Sequence, residues 1–121
     1  MILGASGSGK SSLALQLLAL GCCLVSDDRT EVMRKGNRLL ATAPIQISGL
    51  IEARGIGILN VPVVGSHPVV LIVDLDVKET DRLPEDRTTQ VLDIDLPVLR
   101  KSDEPHFPAA ILLYLKHNSA G

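Results

Sequence analysis

Apolar positions change period several times along the chain, and each change marks an element. Met1-Ile2-Leu3 is a short apolar run that reads as the end of a buried strand. After Ser11, Leu13, Leu17 and Leu20 recur at helical spacing, and Gly21 is well placed as the C-terminal stop. Cys22-Cys23-Leu24-Val25 follows as a buried strand that ends at Ser26-Asp27-Asp28. Thr30 to Arg34, a turn through Lys35-Gly36-Asn37, and Arg38 to Thr42 together predict a hairpin. Pro44 breaks that pattern. Gly49 to Gly57 is polar and glycine-punctuated, Ile56 to Val61 is expected to be a strand, and Gly65 to Pro68 a turn. Val69 to Val73 is the most strongly β-branched run and is expected to lie centrally in a sheet.

The second half is more polar. Residues 78 to 88 are charged and expected in solvent, while Val91 to Leu96 alternates with Asp93 and Asp95 as a half-buried strand would. Residues 100 to 108 read as a connection. Pro108 then suits the first turn of a closing helix with Ile111, Leu112 and Leu115 on one face. No internal repeat or low-complexity tract interrupts this order, so the expectation is one α/β domain over residues 1–121.

Composition narrows the partners. At 45% apolar and 2% aromatic, the core must be built from Leu, Val, Ile and Ala, leaving few rings to stack on single-stranded nucleic acid. A net charge of −2 supplies no basic footprint, so no nucleic-acid partner is expected. Cys22 and Cys23 are adjacent, with no metal-ligand spacing, and are expected to be small buried hydrophobes in a reducing compartment. Leu13 to Val25 is too short to span a bilayer, includes Gln16, and lacks the charged N-terminal region of a signal peptide. No membrane partner and a cytoplasmic location are expected.

The chemistry starts at Gly4-Ala5-Ser6-Gly7-Ser8-Gly9-Lys10-Ser11, which satisfies G-x-x-x-x-G-K-[ST]. Glycines let the backbone turn through positive φ and approach an anion closely, so several N–H groups can point at one phosphate. Lys10 adds a mobile charge for the β/γ-phosphates, and Ser11 a hydroxyl for the accompanying magnesium. The helix that follows presents its positive end to the same group. A strand before the loop and a helix after it argue for a nucleoside-triphosphate site rather than a flexible Gly/Ser linker.

Phosphoryl transfer also needs acids near the metal and the nucleophile. Two sets compete. Val69 to Val73 followed by Asp74 has the form of a Walker-B strand, and Asp27-Asp28 end the strand entered from the loop helix. Spacing alone leaves both open.

Three stretches then resemble one family. They are Gly4 to Ser12 with its helix, Leu24-Val25-Ser26-Asp27-Asp28, and Glu52-Ala53-Arg54-Gly55-Ile56-Gly57-Ile58-Leu59-Asn60-Val61, which is similar to the signature E-x-R-G-[LI]-G-I-[IL]. Order and spacing resemble those of the catalytic domain of HPr kinase/phosphorylase, a bacterial serine-protein kinase. The resemblance implies a P-loop core of the HPr kinase/PEP carboxykinase type, with a mixed sheet, the P-loop helix and a C-terminal helix. It implies ATP and Mg2+, with HPr or an HPr-like phosphocarrier as the acceptor, and a homo-oligomer, hexameric in the family.

Carried over by position, Gly4 to Ser12 would bind the nucleotide, Lys10 its phosphates, and Ser11, Glu52 and Asp28 the magnesium. Asp27 would be the general base for the serine hydroxyl, Arg54 would lie between nucleotide and protein substrate, and Arg82 of Thr80-Asp81-Arg82-Leu83 would stabilise phosphoryl charge. Asp74 would then be a strand-end residue, and His67, His106 and His117 surface residues. The chain starts just before the loop, so a short form without the N-terminal domain and without the family's histidine-bearing hairpin is expected. The family's P-V-x-x-G-R-N segment, tied to phosphorolysis, has no clean counterpart in Pro97-Val98-Leu99-Arg100-Lys101-Ser102. The alternatives are a P-loop kinase of a small molecule and an ATP-binding regulatory module with little turnover.

Overall fold

The computed structural model describes residues 1–5, 7–25, 30–43 and 49–119, with residues 118 and 119 as backbone only. The described strands are β1 (Ile2–Leu3), β2 (Glu31–Lys35), β3 (Arg38–Thr42), β4 (Leu50–Ala53), β5 (Gly57–Asn60), β6 (His67–Pro68), β7 (Ile72–Lys78), β8 (Thr88–Val91) and β9 (Ile94–Lys101). The helices are α1 (Lys10–Ala19) and α2 (Phe107–Ser119). β1, β7, β9 and β8 form a mixed sheet in that order: β7 runs parallel to both β1 and β9, and β8 is antiparallel to β9. β2, β3 and β6 make an antiparallel three-stranded sheet, and β4–β5 is a separate hairpin.

The apolar run at residues 69–73, continued by Leu75, explains this layering. Leu71, Val73 and Leu75 point to one side, where they meet Leu13 of α1 and Ile111 of α2, with Leu17, Leu99, Phe107, Tyr114 and Leu115 packed around them. Ile72 points to the other side and joins Leu39, Ala41, Val69 and Leu96, with Val32, Val91 and Val98 beside them. The first part of β7 is therefore buried on both faces, which is why residues 69–73 read as a continuous rather than an alternating apolar run. Each Leu, Ile or Val so buried contributes about 1.5–3 kcal/mol of transfer free energy.

Local signals account for most boundaries. Gly21, at φ 104°, ends α1, and the Leu20 and Gly21 N–H groups donate back to the carbonyls of Leu17 and Leu18. Gly36, at φ 63°, sits in the two-residue loop closed by the Lys35–Arg38 pair. Several expectations change. β7 begins at Ile72, not Val69, and continues to Lys78, so Asp74 lies inside the strand rather than at its end. The Gly49–Gly57 segment contains β4, whose Ile51 and Ala53 are buried between exposed Leu50 and Glu52. His67 and Pro68, expected in a turn, pair with Ala41 and Leu40. Val91 to Leu96 is two strands, because Leu92 and Asp93 turn at φ 49° and 64°.

The stretch 22–25 carries only a bridge from Leu24 to Val63, not a strand, and Cys23 is exposed while Cys22 is half-buried. Burial, with a smaller push from Cys23, raises the Cys22 thiol above its ordinary range, so it is held protonated. His67, His106 and His117 are exposed as expected. No described helix is long and apolar enough to cross a membrane.

Candidate functional site

The loop at residues 4–9 joins the end of β1 to the start of α1, at the C-terminal edge of the parallel strands. Gly7 and Gly9 take φ 84° and 100°, a region that penalises any Cβ, and Gly9 is the residue from which α1 starts. The Ser8 N–H donates to the Ala5 carbonyl at 3.0 Å, closing a tight turn. Gly4 has a different constraint. A Cβ there would collide with Ser8 Oγ and stand 3.0 Å from Ser8 Cβ and 3.2 Å from Leu75 Cβ. Ser8 Oγ is itself buried and has no hydrogen-bond partner among the described residues.

Two side chains from the sheet hold the loop. Asp76 Oδ1, from β7, accepts the Ala5 N–H at 2.9 Å, and the Asp76 N–H in turn donates to Asp74 Oδ1 at 2.9 Å. Lys101 Nζ, from the end of β9, donates to the Ser8 carbonyl at 3.2 Å. Neither contact is legible from sequence. Asp76 had one signal, since it follows Asp74 by the strand period of two, but Lys101 had none.

The start of α1 suits an anion. No side chain caps it and its first turn holds no acid, so its N–H groups and positive end face outward uncompensated. Lys10, half-buried, and the hydroxyl-bearing Ser11 and Ser12 are its first three residues. The glycine conformations, the space that a Gly4 Cβ would fill, the orphaned Ser8 Oγ and the uncapped helix all fit a polyphosphate.

The remaining expected residues are more scattered. β4 packs against α1 and carries Glu52 on its exposed face, one residue from buried Ile51. Arg54 is exposed in the turn that links β4 to β5, where Gly55 takes φ 86°. Arg82 is exposed in the segment between β7 and β8. Ser6, Asp27 and Asp28 lie outside the described residues. Among the described residues no three or more acids, histidines or cysteines gather as metal ligands. Magnesium needs no such cage, because it is commonly held by one or two protein oxygens, phosphate and water.

The segment bearing Arg82 is anchored at both ends. Arg87 bridges to Glu79 through Nε at 3.3 Å and Nη2 at 3.2 Å, and Lys78 pairs with Asp103 at 2.6 Å. Arg87, with the N–H groups of Asp81 and Thr80, holds the Glu79 carboxyl below its ordinary range. A carboxylate lowered in the folded state stabilises the fold above its unfolded pKa, about 4.3 for glutamate, and that gain is lost as pH falls through the depressed folded value. Wild type is thus expected to melt above Arg87→Met at pH 7, with the gap closing as pH drops below about 4. Thermal melts across that range check it; parallel curves would show that the bridge is not coupled to folding.

Residues 1–101 match the family described as HPr Serine kinase C-terminal domain. HPr kinase/phosphorylase of Exiguobacterium sibiricum is 38% identical over 93% of the chain and 40% of that protein. The protein of the same name from Caldanaerobacter subterraneus subsp. tengcongensis is 38% identical over 93% of the chain and 41% of its own length. The solved structure of the Hpr(Ser) kinase/phosphatase from Coxiella burnetii superposes with a TM-score of 0.80 at 28% identity, covering 98% of this chain and 86% of that one. The chain spans about two fifths of the length of the curated relatives it matches.

Proposed function

The chain belongs to the HPr serine kinase C-terminal domain family, and on that premise we propose that it transfers the γ-phosphoryl group of ATP to a serine of HPr or an HPr-like phosphocarrier. The observation that carries this reading is the loop at residues 4–9 feeding an uncapped α1, in a chain whose Glu52-Ala53-Arg54-Gly55 begins on β4, the strand packed against that helix, and ends in the turn after it. Loop N–H groups, Lys10 and the α1 N-terminus bind and orient the triphosphate. Ser11, Glu52 and Asp28 would hold magnesium, which when bound neutralises charge on the phosphate oxygens.

Asp27 accepts the proton of the attacking serine hydroxyl as its oxygen bonds to the γ-phosphorus and the bond to the β-phosphate oxygen breaks, leaving ADP and phosphoserine. Arg82 meets the charge on the transferring group, and Arg54 stands where the protein substrate approaches. Both are exposed, as groups that engage a second macromolecule must be before it docks. Ile56 and Ile58 are 80% and 70% exposed, and covering them supports a homo-oligomer. The enzyme acts in the cytoplasm and in the kinase direction, the latter because Pro97 to Ser102 lack the P-V-x-x-G-R-N pattern of the reverse reaction.

The test is direct. The protein is incubated with Mg-ATP and HPr-like carriers, and the products are mapped by mass spectrometry. Phosphoserine on a carrier is the expected result. ATP binding with no label on any carrier would overturn the assignment, and turnover with a small acceptor would replace the protein substrate.

A further inference from the structure

We infer that Lys101 is a positioning residue for the phosphate-binding loop, acting through the Ser8 carbonyl to aim the Gly9 N–H. The inference rests on the nucleotide-binding reading above and adds a residue to that site. It starts from strand geometry. Side chains alternate along β9, so Lys101 lies on the same side as Leu99, the side on which α1 and α2 pack. Its backbone is well rooted: the Lys101 carbonyl accepts the Glu79 N–H at 2.8 Å, and Lys101 pairs with Lys78 beyond a register shift in the ladder. From there its ammonium reaches across 93 residues of sequence to donate to the Ser8 carbonyl at 3.2 Å.

The consequence follows from the peptide group. That unit is planar and trans, so the Ser8 carbonyl and the Gly9 N–H point in opposite directions. A donor that holds the carbonyl to one side therefore turns the N–H to the other, into the turn enclosed by residues 4–9. Gly9, at φ 100° and with no neighbour within 4 Å of a notional Cβ, has no steric wall to hold its peptide. Lys101 supplies the restraint that a side chain at that position would otherwise give. Asp76 does the complementary work at Ala5, where it holds an N–H rather than a carbonyl. The two restraints come from adjacent strands, one by a carboxylate and one by an ammonium.

The approach to Lys101 is open. It lines a cavity of about 450 Å³ bounded by Ser8, Ser12, Gln16, Leu75 and Phe107, and it is the single cation among the described residues there. Removing its donor thus exposes the Ser8 carbonyl to water rather than burying it unpaired, and leaves the loop free to rotate that peptide.

The test compares wild type, Lys101→Met and Lys101→Arg, with Lys101→Ala as a second deletion should the first not fold. Mg-ATP binding is measured by calorimetric titration at low and high salt, and amide exchange over residues 7–10 without nucleotide. Lys101→Met is expected to weaken binding about tenfold at both salt concentrations, to speed exchange at Gly9, and to be rescued by Lys101→Arg. Unchanged binding and exchange would overturn the inference. So would a binding loss that vanishes at high salt, which would make Lys101 a simple attractive charge. Wild type that does not bind Mg-ATP would sink the proposed function instead, while the exchange comparison would still decide whether Lys101 holds the loop.

Discussion

Gly4→Ala is expected to weaken Mg-ATP binding and phosphoryl transfer by about 10²-fold or more, with a stability loss of about 1–3 kcal/mol. The added methyl has nowhere to go. It would strike Ser8 Oγ and lie within 3.2 Å of Leu75 Cβ, and Leu75 is 6% exposed in the core shared with both helices. Leu75 cannot yield without opening that core, so Ser8 must. Ser8 is held by its turn to Ala5 and by Lys101, and moving it drags Gly9 and the first turn of α1 with it. Calorimetric binding and a thermal melt check the two parts separately. A melting temperature lowered by several degrees together with a large binding loss is the expected combination; wild-type binding would show that the loop tolerates the methyl and that its geometry is not tightly coupled to phosphate.

On the proposed role of Asp27 as base, Asp27→Asn is expected to cut transfer to an HPr-like carrier by about 10²–10⁴-fold while leaving the Mg-ATP dissociation constant within about twofold, the signature of losing a base rather than a ligand. Asp74→Asn is its control. Asp74 Oδ1 serves as acceptor for the Asp76 N–H, and an asparagine retains an oxygen that can accept the same bond. Little change is therefore expected at position 74 in either measurement. Transfer assays with radiolabelled ATP and carrier protein decide between them, and the reverse pattern would move the base to β7.

The position of the glycine loop and part of the fold were readable from residue pattern alone. The loop and α1 were legible because glycines, lysine and leucines each answer to a local rule, and the β2–β3 hairpin because Gly36 marks its turn. The far end of β7 was not. After Val73 the sequence turns acidic, which reads as a strand leaving the core; in the folded chain those acids sit where parallel strands meet the loop, and Asp76 is spent on the Ala5 N–H. The β8–β9 turn was hidden for another reason. Leu92 and Asp93 adopt positive φ without the glycine or asparagine that normally announces it, while Arg34 Nη1 reaches the Leu92 carbonyl from the neighbouring sheet at 3.4 Å. The Lys101–Ser8 contact joins residues 93 apart, beyond any periodic or motif signal.

The two-sided burial of β7 has a consequence for how the protein comes apart. Its successive residues Ile72 and Val73 belong to different cores, one built on the β2–β3–β6 sheet and one on the helices, and the same strand carries Asp76 to the loop. Neither layer can open alone, because displacing β7 for one removes a wall of the other. The chain should behave as one cooperative folding unit in which the loop shares the fate of the core, rather than as a stable scaffold with a separately melting site.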